Sequence, residues 1–173
     1  MPLLTDELRA RIGETAVYTA PEEMGRASFR YFGLAVGDYN SLYVDPRAAA
    51  AAGYRDVIAP PTLITETNQY MIGPRHADGF MGHTWGIEIP DTRLVRGGND
   101  YTFVQPLHPD DIVTAAWEIA DMTERTTSKG VEMLIVTSRA TYTNQHGETI
   151  CTNTETLIFT GLAPVVTAAG GGA

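Results

Sequence analysis

The chain has 173 residues, of which 43% are apolar, a length and composition that suit one domain with a sizeable core. It carries 21 acidic and 12 basic residues, for a formal charge of −9. This acidic balance, without any cluster of Lys and Arg, excludes the usual pattern of a protein that binds nucleic acid or an anionic membrane.

The single cysteine, Cys151, rules out an internal disulfide and suits a reducing compartment. Residues 1–7 have neither the basic nor the apolar segment of a secretory signal, and no stretch approaches the ~20 apolar residues of a membrane-spanning helix. No two histidines have the spacing of a zinc site, and no phosphate-binding glycine motif is complete. We therefore expect a cytoplasmic protein without a metal or cofactor.

The first part of the chain predicts helices on either side of one strand. Residues 3–13 repeat leucine and isoleucine at roughly helical spacing, which indicates a short amphipathic helix. Residues 15–20 alternate in a β-prone stretch, which predicts a strand. After a turn at Pro21, residues 26–36 place aromatic side chains along a helical pattern and lead into Gly37.

A polar turn and a short helix follow Gly37. Asp38 and Asn40 are typical of a turn whose side chains bond the backbone. Asp45-Pro46 is a strong helix start, because Asp caps free N–H groups and Pro fits the first helical turn. The alanines that follow predict about two turns of helix, and Gly53 ends it.

Pro60-Pro61 predicts the start of a second helix, which runs from Thr62 to about Met71. A stretch rich in glycine and proline, residues 73–95, follows without a regular pattern. Long loops of this kind are often functional, so the stretch is either a surface excursion, or a flap over a substrate channel or part of a subunit contact. His83 is the histidine in this loop that could reach such a channel.

The rest of the chain predicts an antiparallel meander with hairpin turns at residues 129–130 and 144–147. The predicted strands are Asp100–Val104, Ile112–Asp121, Val131–Tyr142 and Thr149–Phe159. A helical block followed by a meander predicts one α+β domain over residues 1–162. Residues 163–173 are mostly Ala and Gly, so we expect a disordered tail. The apolar stretch 131–142 would leave an unpaired sheet edge in a monomer, so we expect association through this edge.

Several of these segments carry a family resemblance. Gly37-Asp38-x-Asn40, the alanine-rich helix, Gly53-Tyr54 and Ile58-Ala59 resemble the hydratase motif of MaoC-like (R)-specific enoyl-thioester hydratases and dehydratases. The resemblance covers about residues 15–160. It implies a single hot-dog fold, in which an antiparallel sheet wraps around one central helix.

Two positions depart from the catalytic pattern of that family. Its members have a His five residues after the Asp, where this chain has Tyr43, and His-Gly at the start of the central helix, where it has Pro60-Pro61. Tyr43 with the Pro-Pro-Thr start resembles the FAS1-like dehydratase branch. That branch includes catalytically silent halves of two-subunit hydratases.

The chemistry of hydration shows what these departures remove. Adding water to an enoyl thioester needs a base, an acid for the α-carbon and N–H donors for the developing oxyanion. The resemblance makes Asp38, Asn40 and Tyr43 the catalytic candidates. A phenol with a pKa near 10 is a poor base at neutral pH. Pro61 has no N–H to donate to the oxyanion, although the N–H or hydroxyl of Thr62 could still be offered.

The resemblance also supplies candidates for substrate binding, with an acyl thioester of coenzyme A or acyl carrier protein as the expected ligand. Ile58, Ala59 and Thr62 belong to the central motif and its helix start. The basic residues Arg47, Arg55 and Arg96, the last beside Gly97, are candidates for the carrier's phosphates. The alternative interpretation is that these arginines are solvated surface charges.

The sequence leaves several functions open. The chain is predicted to be the acyl-channel half of a hydratase or dehydratase, paired with a His-bearing MaoC-like subunit. Alternatively, it forms a self-sufficient homodimer in which Tyr43 or His83 helps Asp38. A non-enzymatic acyl-thioester binding module and a hot-dog thioesterase are also compatible, since fold does not fix function.

Overall fold

A computed structural model describes residues 2–66, 77, 79 and 82–162 of the chain. A five-stranded antiparallel sheet dominates it, with the spatial order β1-β3-β4-β5-β2. The strands are β1 (Thr15–Thr19), β2 (Thr92–Phe103), β3 (Thr114–Thr126), β4 (Glu132–Thr143) and β5 (Thr149–Gly161). The α+β class predicted from the sequence is confirmed.

Short helices precede the long strands. Thr5 caps α1 by accepting a hydrogen bond from the Leu8 N–H, and Gly37 ends α2 in the left-handed conformation that glycine adopts readily. The helices are α1 (Asp6–Ala10), α2 (Gly25–Val36) and α3 (Pro46–Ala51), with 3-10 helices at Ser41–Tyr43 and Pro61–Glu66. The predicted Asp45-Pro46 helix start is confirmed, since the Asp45 side chain accepts from the Arg47 N–H at 2.9 Å.

One face of the sheet carries the core, and we call it the inner face. Trp117 and Ile119 of β3 alternate with more exposed residues, and Leu134 and Val136 of β4 alternate with half-buried ones, because successive side chains of a strand point to opposite faces. Buried residues of the helical part, including Phe29 of α2, belong to the same hydrophobic cluster.

The predicted central helix is described only at its start. Residues 61–66 form a 3-10 helix, and Leu63 and Ile64 are each 1% exposed within the core. The remainder of the predicted helix, to about Met71, lies outside the described residues, as does the predicted tail at 163–173.

The predicted strand order was wrong at both ends of the sheet. The first long strand begins at Thr92 rather than Asp100, and it pairs with β5 instead of β3. The stretch 131–142, expected at an edge, forms β4 in the middle of the sheet, between β3 and β5. The edge strands are β1 and β2. Strand order depends on pairing between segments that are far apart in sequence, and a local pattern does not show such pairing. No described helix is long and apolar enough to cross a membrane.

Candidate functional site

The turn after α2 brings together the three residues proposed for catalysis. The Asp38 carboxylate accepts a hydrogen bond from the Asn40 N–H at 3.2 Å and another from the Tyr43 hydroxyl at 3.1 Å. The Asn40 side chain caps the following 3-10 helix by accepting from the Leu42 N–H at 3.0 Å. Both polar side chains are therefore engaged in holding the turn itself.

Tyr43 occupies the position where the family's His would stand. Its side chain is buried, and its hydroxyl donates to Asp38. Burial, together with this hydrogen bond, raises the pKa of Tyr43 above the ordinary 10.0 of a phenol. Tyr43 is thus a neutral hydrogen-bond donor at physiological pH, and it cannot serve as the base that activates water.

Gly33 of α2 allows the turn to lie against the helix. A Cβ atom at this position would be 2.8 Å from the Asp38 carbonyl oxygen, 3.7 Å from the Tyr43 ring and 4.0 Å from the Pro60 ring. The Asp38 N–H also donates to the Gly33 carbonyl at 2.9 Å. Pro60 therefore lies beside the Asp38–Tyr43 turn, and the two departures from the catalytic motif occupy one region.

The segment entering the 3-10 helix offers few free N–H groups. The Ala59 N–H donates to the Leu107 carbonyl and the Leu63 N–H to the Pro60 carbonyl, each at 2.9 Å. The two prolines between them have no N–H. The position of the expected oxyanion donor, Pro61, therefore supplies no backbone hydrogen bond to a substrate.

An apolar pocket of about 230 Å³ is lined in part by this segment. The predicted substrate-binding residues Ile58 and Ala59 both line it, together with Pro61. Its opposite wall comes from the end of β2, the segment that follows β2 and the start of β5, through Phe103, Val104, Gln105, Pro106, Leu107 and Ile150. The wall that the end of β2 contributes was not predicted from the sequence.

The arginines proposed for phosphate binding are differently placed. Arg55 forms a bidentate salt bridge with the Asp110 carboxylate, with N···O distances of 2.6 and 2.7 Å. Arg96 lies 4.0 Å from Glu155. Arg47 is exposed. Gly97 sits at a bulge in β2, where a Cβ atom would be 2.9 Å from Ile158. Arg55 and Arg96 therefore each lie near a carboxylate of this chain, and phosphate binding by the three arginines stays a prediction.

A second groove, of about 280 Å³, was not predicted from the sequence. It lies between α2 and the segment after the Asp38–Tyr43 turn, and Arg26 and Arg30 line it beside Tyr43. Arg26 pairs with Asp56 at 2.7 Å. Helical spacing places the two arginines on one face of α2, a signal that could have been read from the sequence.

His83 does not belong to this region. Its Nδ1 lies 3.1 Å from the Tyr18 hydroxyl, and its ring stacks on Trp117 and meets the edge of Trp85. Burial lowers the pKa of His83 to about 4. The imidazole is thus half-buried and neutral at the sheet edge formed by β1. Among the described residues, no group of three His, Cys, Asp or Glu side chains could hold a metal ion.

Comparison with known proteins places the chain in a family. The family model described as "FAS1-like, dehydratase domain region" matches residues 10–153. The chain belongs to the FAS1-like dehydratase family. A relative from Thermobifida fusca, named only as a UPF0336 protein, is 33% identical over 156 residues, or 90% of this chain and 95% of that protein. A UPF0336 protein from Streptomyces avermitilis is 36% identical over 103 residues, which span 60% of this chain but only 65% of that protein.

Solved structures of similar shape support the predicted fold. The ChsH1–ChsH2 complex from Mycobacterium tuberculosis gives a TM-score of 0.65 at 19% identity, covering 84% of this chain and 83% of the matched one. The truncated HadBC (3R-hydroxyacyl-ACP dehydratase) complex from the same organism gives 0.60 at 24% identity, covering 83% and 95%. The predicted hot-dog fold and the suspected MaoC-like family are confirmed.

Proposed function

We propose that this FAS1-like dehydratase chain is the acyl-binding half of an (R)-specific enoyl-thioester hydratase or dehydratase, and that a His-bearing MaoC-like subunit supplies the catalytic groups. The observation that carries the proposal is a pair of departures from the catalytic motif, Tyr43 within the turn and the Pro60-Pro61 segment whose first proline lies beside it. Tyr43 is a buried donor to Asp38 where a base is needed, and Pro61 lacks the N–H that an oxyanion needs.

The apolar pocket supports the binding half of this proposal. Ile58, Ala59 and Pro61 form one wall and Phe103 and Ile150 the other, and pockets of a few hundred Å³ with mainly apolar walls suit small acyl groups. The ligand in this proposal is an acyl thioester of coenzyme A or acyl carrier protein.

The partner in this proposal is a second hot-dog chain. Two of the similar structures are complexes named for two chains, ChsH1–ChsH2 and HadBC, which supports pairing with a homologue. The exposed β2 edge of this chain also supports association, because an unpaired strand edge invites pairing with another chain.

The test is hydration of crotonyl-CoA by the purified chain alone and after co-purification with a MaoC-like chain that keeps the Gly-Asp-x-Asn-Pro-x-His motif. We expect turnover only from the mixture. A matched mixture in which the partner's motif His is changed to Ala should be inactive, which assigns the base to the partner. Turnover by the chain alone would instead favour a homodimeric hydratase that uses Asp38. Binding without turnover in every mixture would favour a non-enzymatic binding module.

A further inference from the structure

The inner face of the sheet carries a buried polar cluster at the β5–β2 end. Asn153 of β5 is 2% exposed and lies in a cross-strand row with Trp117, Ala140 and Tyr101. Its Nδ2 donates to the Asn99 Oδ1 at 2.9 Å. Its Oδ1 is buried and has no hydrogen-bond partner in the part of the chain that the structure describes.

Glu155 adds a second acceptor to the cluster. It is the next residue of β5 on the same face, directly across from Asn99, and its side chain is only 12% exposed. Burial raises the pKa of Glu155, and Arg96 counteracts part of this effect. The Arg96 side chain is 72% exposed, and its guanidinium lies 4.0 Å from the carboxyl group, too far for a hydrogen bond.

Because Asn153 and Glu155 both offer hydrogen-bond acceptors, they favour a ligand group that donates a hydrogen bond. The contact with Asn99 fixes the Asn153 amide so that its oxygen points away from Asn99, and a carboxylate at Glu155 can only accept. Buried polar groups in native proteins nearly always have a partner, so an orphaned amide oxygen calls for one from outside the described chain. The matching chemical group is an N–H or an O–H.

The cluster lies next to the acyl pocket. The Tyr101 ring stacks on the Phe103 ring with centroids 6.0 Å apart, and Phe103 lines the pocket. Same-face residues of a strand are about 7 Å apart, so the cluster begins roughly one such step from the pocket wall. A ligand with an apolar chain in the pocket and a donor group near that chain would contact both.

We propose that Asn99, Asn153 and Glu155 form a binding site for one N–H or O–H group of the thioester ligand, an inference that rests on the proposed function. Two parts of such a ligand carry this chemistry. One is an amide of the carrier's pantetheine arm, and the other is a hydroxyl on the acyl chain.

The experiment measures dissociation constants for butyryl-CoA, 3-hydroxybutyryl-CoA and S-ethyl thiobutyrate, which lacks the pantetheine amides. The protein is the full chain in whichever assembly, alone or with its partner, binds butyryl-CoA more tightly. The variant is Asn153→Leu, which keeps the shape of the side chain and removes the acceptor. Glu155→Leu, which removes both acceptor oxygens of the carboxylate, is a second variant and carries the test if Asn153→Leu does not fold. Thr152→Val, at an exposed outer-face position of the same strand, is the matched control.

Loss of one neutral hydrogen bond corresponds to about 3- to 10-fold weaker binding. A loss of this size for 3-hydroxybutyryl-CoA alone supports the site with an acyl hydroxyl as the donor. An equal loss for both CoA esters, but none for S-ethyl thiobutyrate, supports it with a carrier amide.

Other outcomes overturn the inference. No loss, or the same loss for all three ligands or in the Thr152→Val control, shows that the cluster only supports the fold. If the wild-type assembly binds none of the three ligands, the proposed function fails and this inference fails with it. Normal binding by the wild type, without a ligand-selective loss in the variants, would overturn only this inference. The two failures are therefore distinguishable.

Discussion

Asp38 accepts hydrogen bonds from the Asn40 N–H and the Tyr43 hydroxyl, and both bonds hold the turn. The turn itself could be predicted from Asp38-x-Asn40, because these side chains bond the backbone locally. The bond from Tyr43 could not, because it depends on how the 3-10 helix folds back toward the turn. Likewise, the groove lined by Arg26 and Arg30 forms only when α2 packs beside this segment.

The role of Asp38 leads to the first prediction. If Asp38 serves only the turn, Asp38→Asn should leave the hydration rate of the best-active assembly within a few fold. It should lower the free energy of unfolding by ~1 kcal/mol, since the amide is a weaker acceptor. Tyr43→Phe removes the donor of the Tyr43–Asp38 hydrogen bond and should lower the free energy of unfolding by about the same amount. The double variant should lose less than the sum of the two single losses, because both changes remove the same bond. A rate loss of about 10²-fold in folded Asp38→Asn would instead identify it as the general base.

Gly33 gives a second prediction, on stability. In an unconstrained helix, Gly→Ala stabilises by about 1 kcal/mol. Here the added Cβ would be 2.8 Å from the Asp38 carbonyl oxygen, so the turn must shift away from the helix. We expect Gly33→Ala to lower the free energy of unfolding by about 1–3 kcal/mol, measured by urea denaturation. Ala27→Gly, at an exposed position of α2, controls for helix propensity. An increase in stability for Gly33→Ala would contradict the close packing.

His83 gives a third prediction, on pH dependence. Its pKa is about 4 in the folded protein and 6.5 in the unfolded chain, so between these values the unfolded state binds more protons. The stability that neutral His83 contributes is therefore present above pH 6.5 and is lost as the pH falls toward 4. Arg26 and Arg55 lower the pKa values of Asp56 and Asp110, so the stability that these two carboxylates contribute is also lost in acid.

The measurement is therefore the difference between wild type and His83→Gln in thermal unfolding from pH 7 to pH 4. The wild type should lose more stability than the variant across this range. Parallel curves would mean that His83 is hydrated in the folded protein and titrates normally.

At the scale of elements, local signals predicted the helices well. The Asp45-Pro46 start and the glycine at residue 37 are local features, and local sequence determines them. The start of β2 was predicted eight residues late because Gly97-Gly98 disfavours a strand, yet pairing with β5 extends the strand through a bulge there. Strand order could not be predicted from the sequence. The strand β2 pairs with β5, some fifty residues away in sequence, and this pairing gives no local signal.

The 3-10 helix that begins at Pro61 leads to a fourth prediction. If the missing His alone silenced the site, Tyr43→His would give activity to the isolated chain. We expect no substantial turnover, because Pro61 still removes one oxyanion donor, a loss of about 10²–10³ in rate. Tyr43→His with Pro61→Gly should exceed Tyr43→His alone, and Pro61→Gly by itself is the control. Substantial hydration of crotonyl-CoA by Tyr43→His alone would contradict this argument.

At the scale of the whole molecule, the two sheet edges differ. The edge strand β2 has twelve residues and β1 has five. Exposed apolar side chains lie on and around β2, at Leu94, Val95, Phe103, Val104 and Leu162, and a similar number lie on α2 and the segment after it. The expectation of association through a sheet edge therefore stands on β2 and not on residues 131–142. The apolar pocket lies at the end of this strand, so a partner on β2 would also be close to the pocket.

The last prediction concerns which edge associates. We expect the wild type to have a mass of about twice 18.8 kDa when no homologue is present, measured by light scattering after size exclusion. Val95→Lys places a charge on the β2 edge, where Lys blocks edge-to-edge pairing, and should shift the protein toward the monomer. Val17→Lys on β1 makes the same chemical change at the other edge and should leave the mass unchanged.

The two variants separate edge pairing from a general effect of added charge, because both positions are exposed on edge strands. The same pair can be tested with the MaoC-like partner, where Val95→Lys should also lower co-purification and hydration together. A wild-type monomer that no partner changes would contradict association through β2. A dimer lost in Val17→Lys but kept in Val95→Lys would move the interface to β1, away from the acyl pocket.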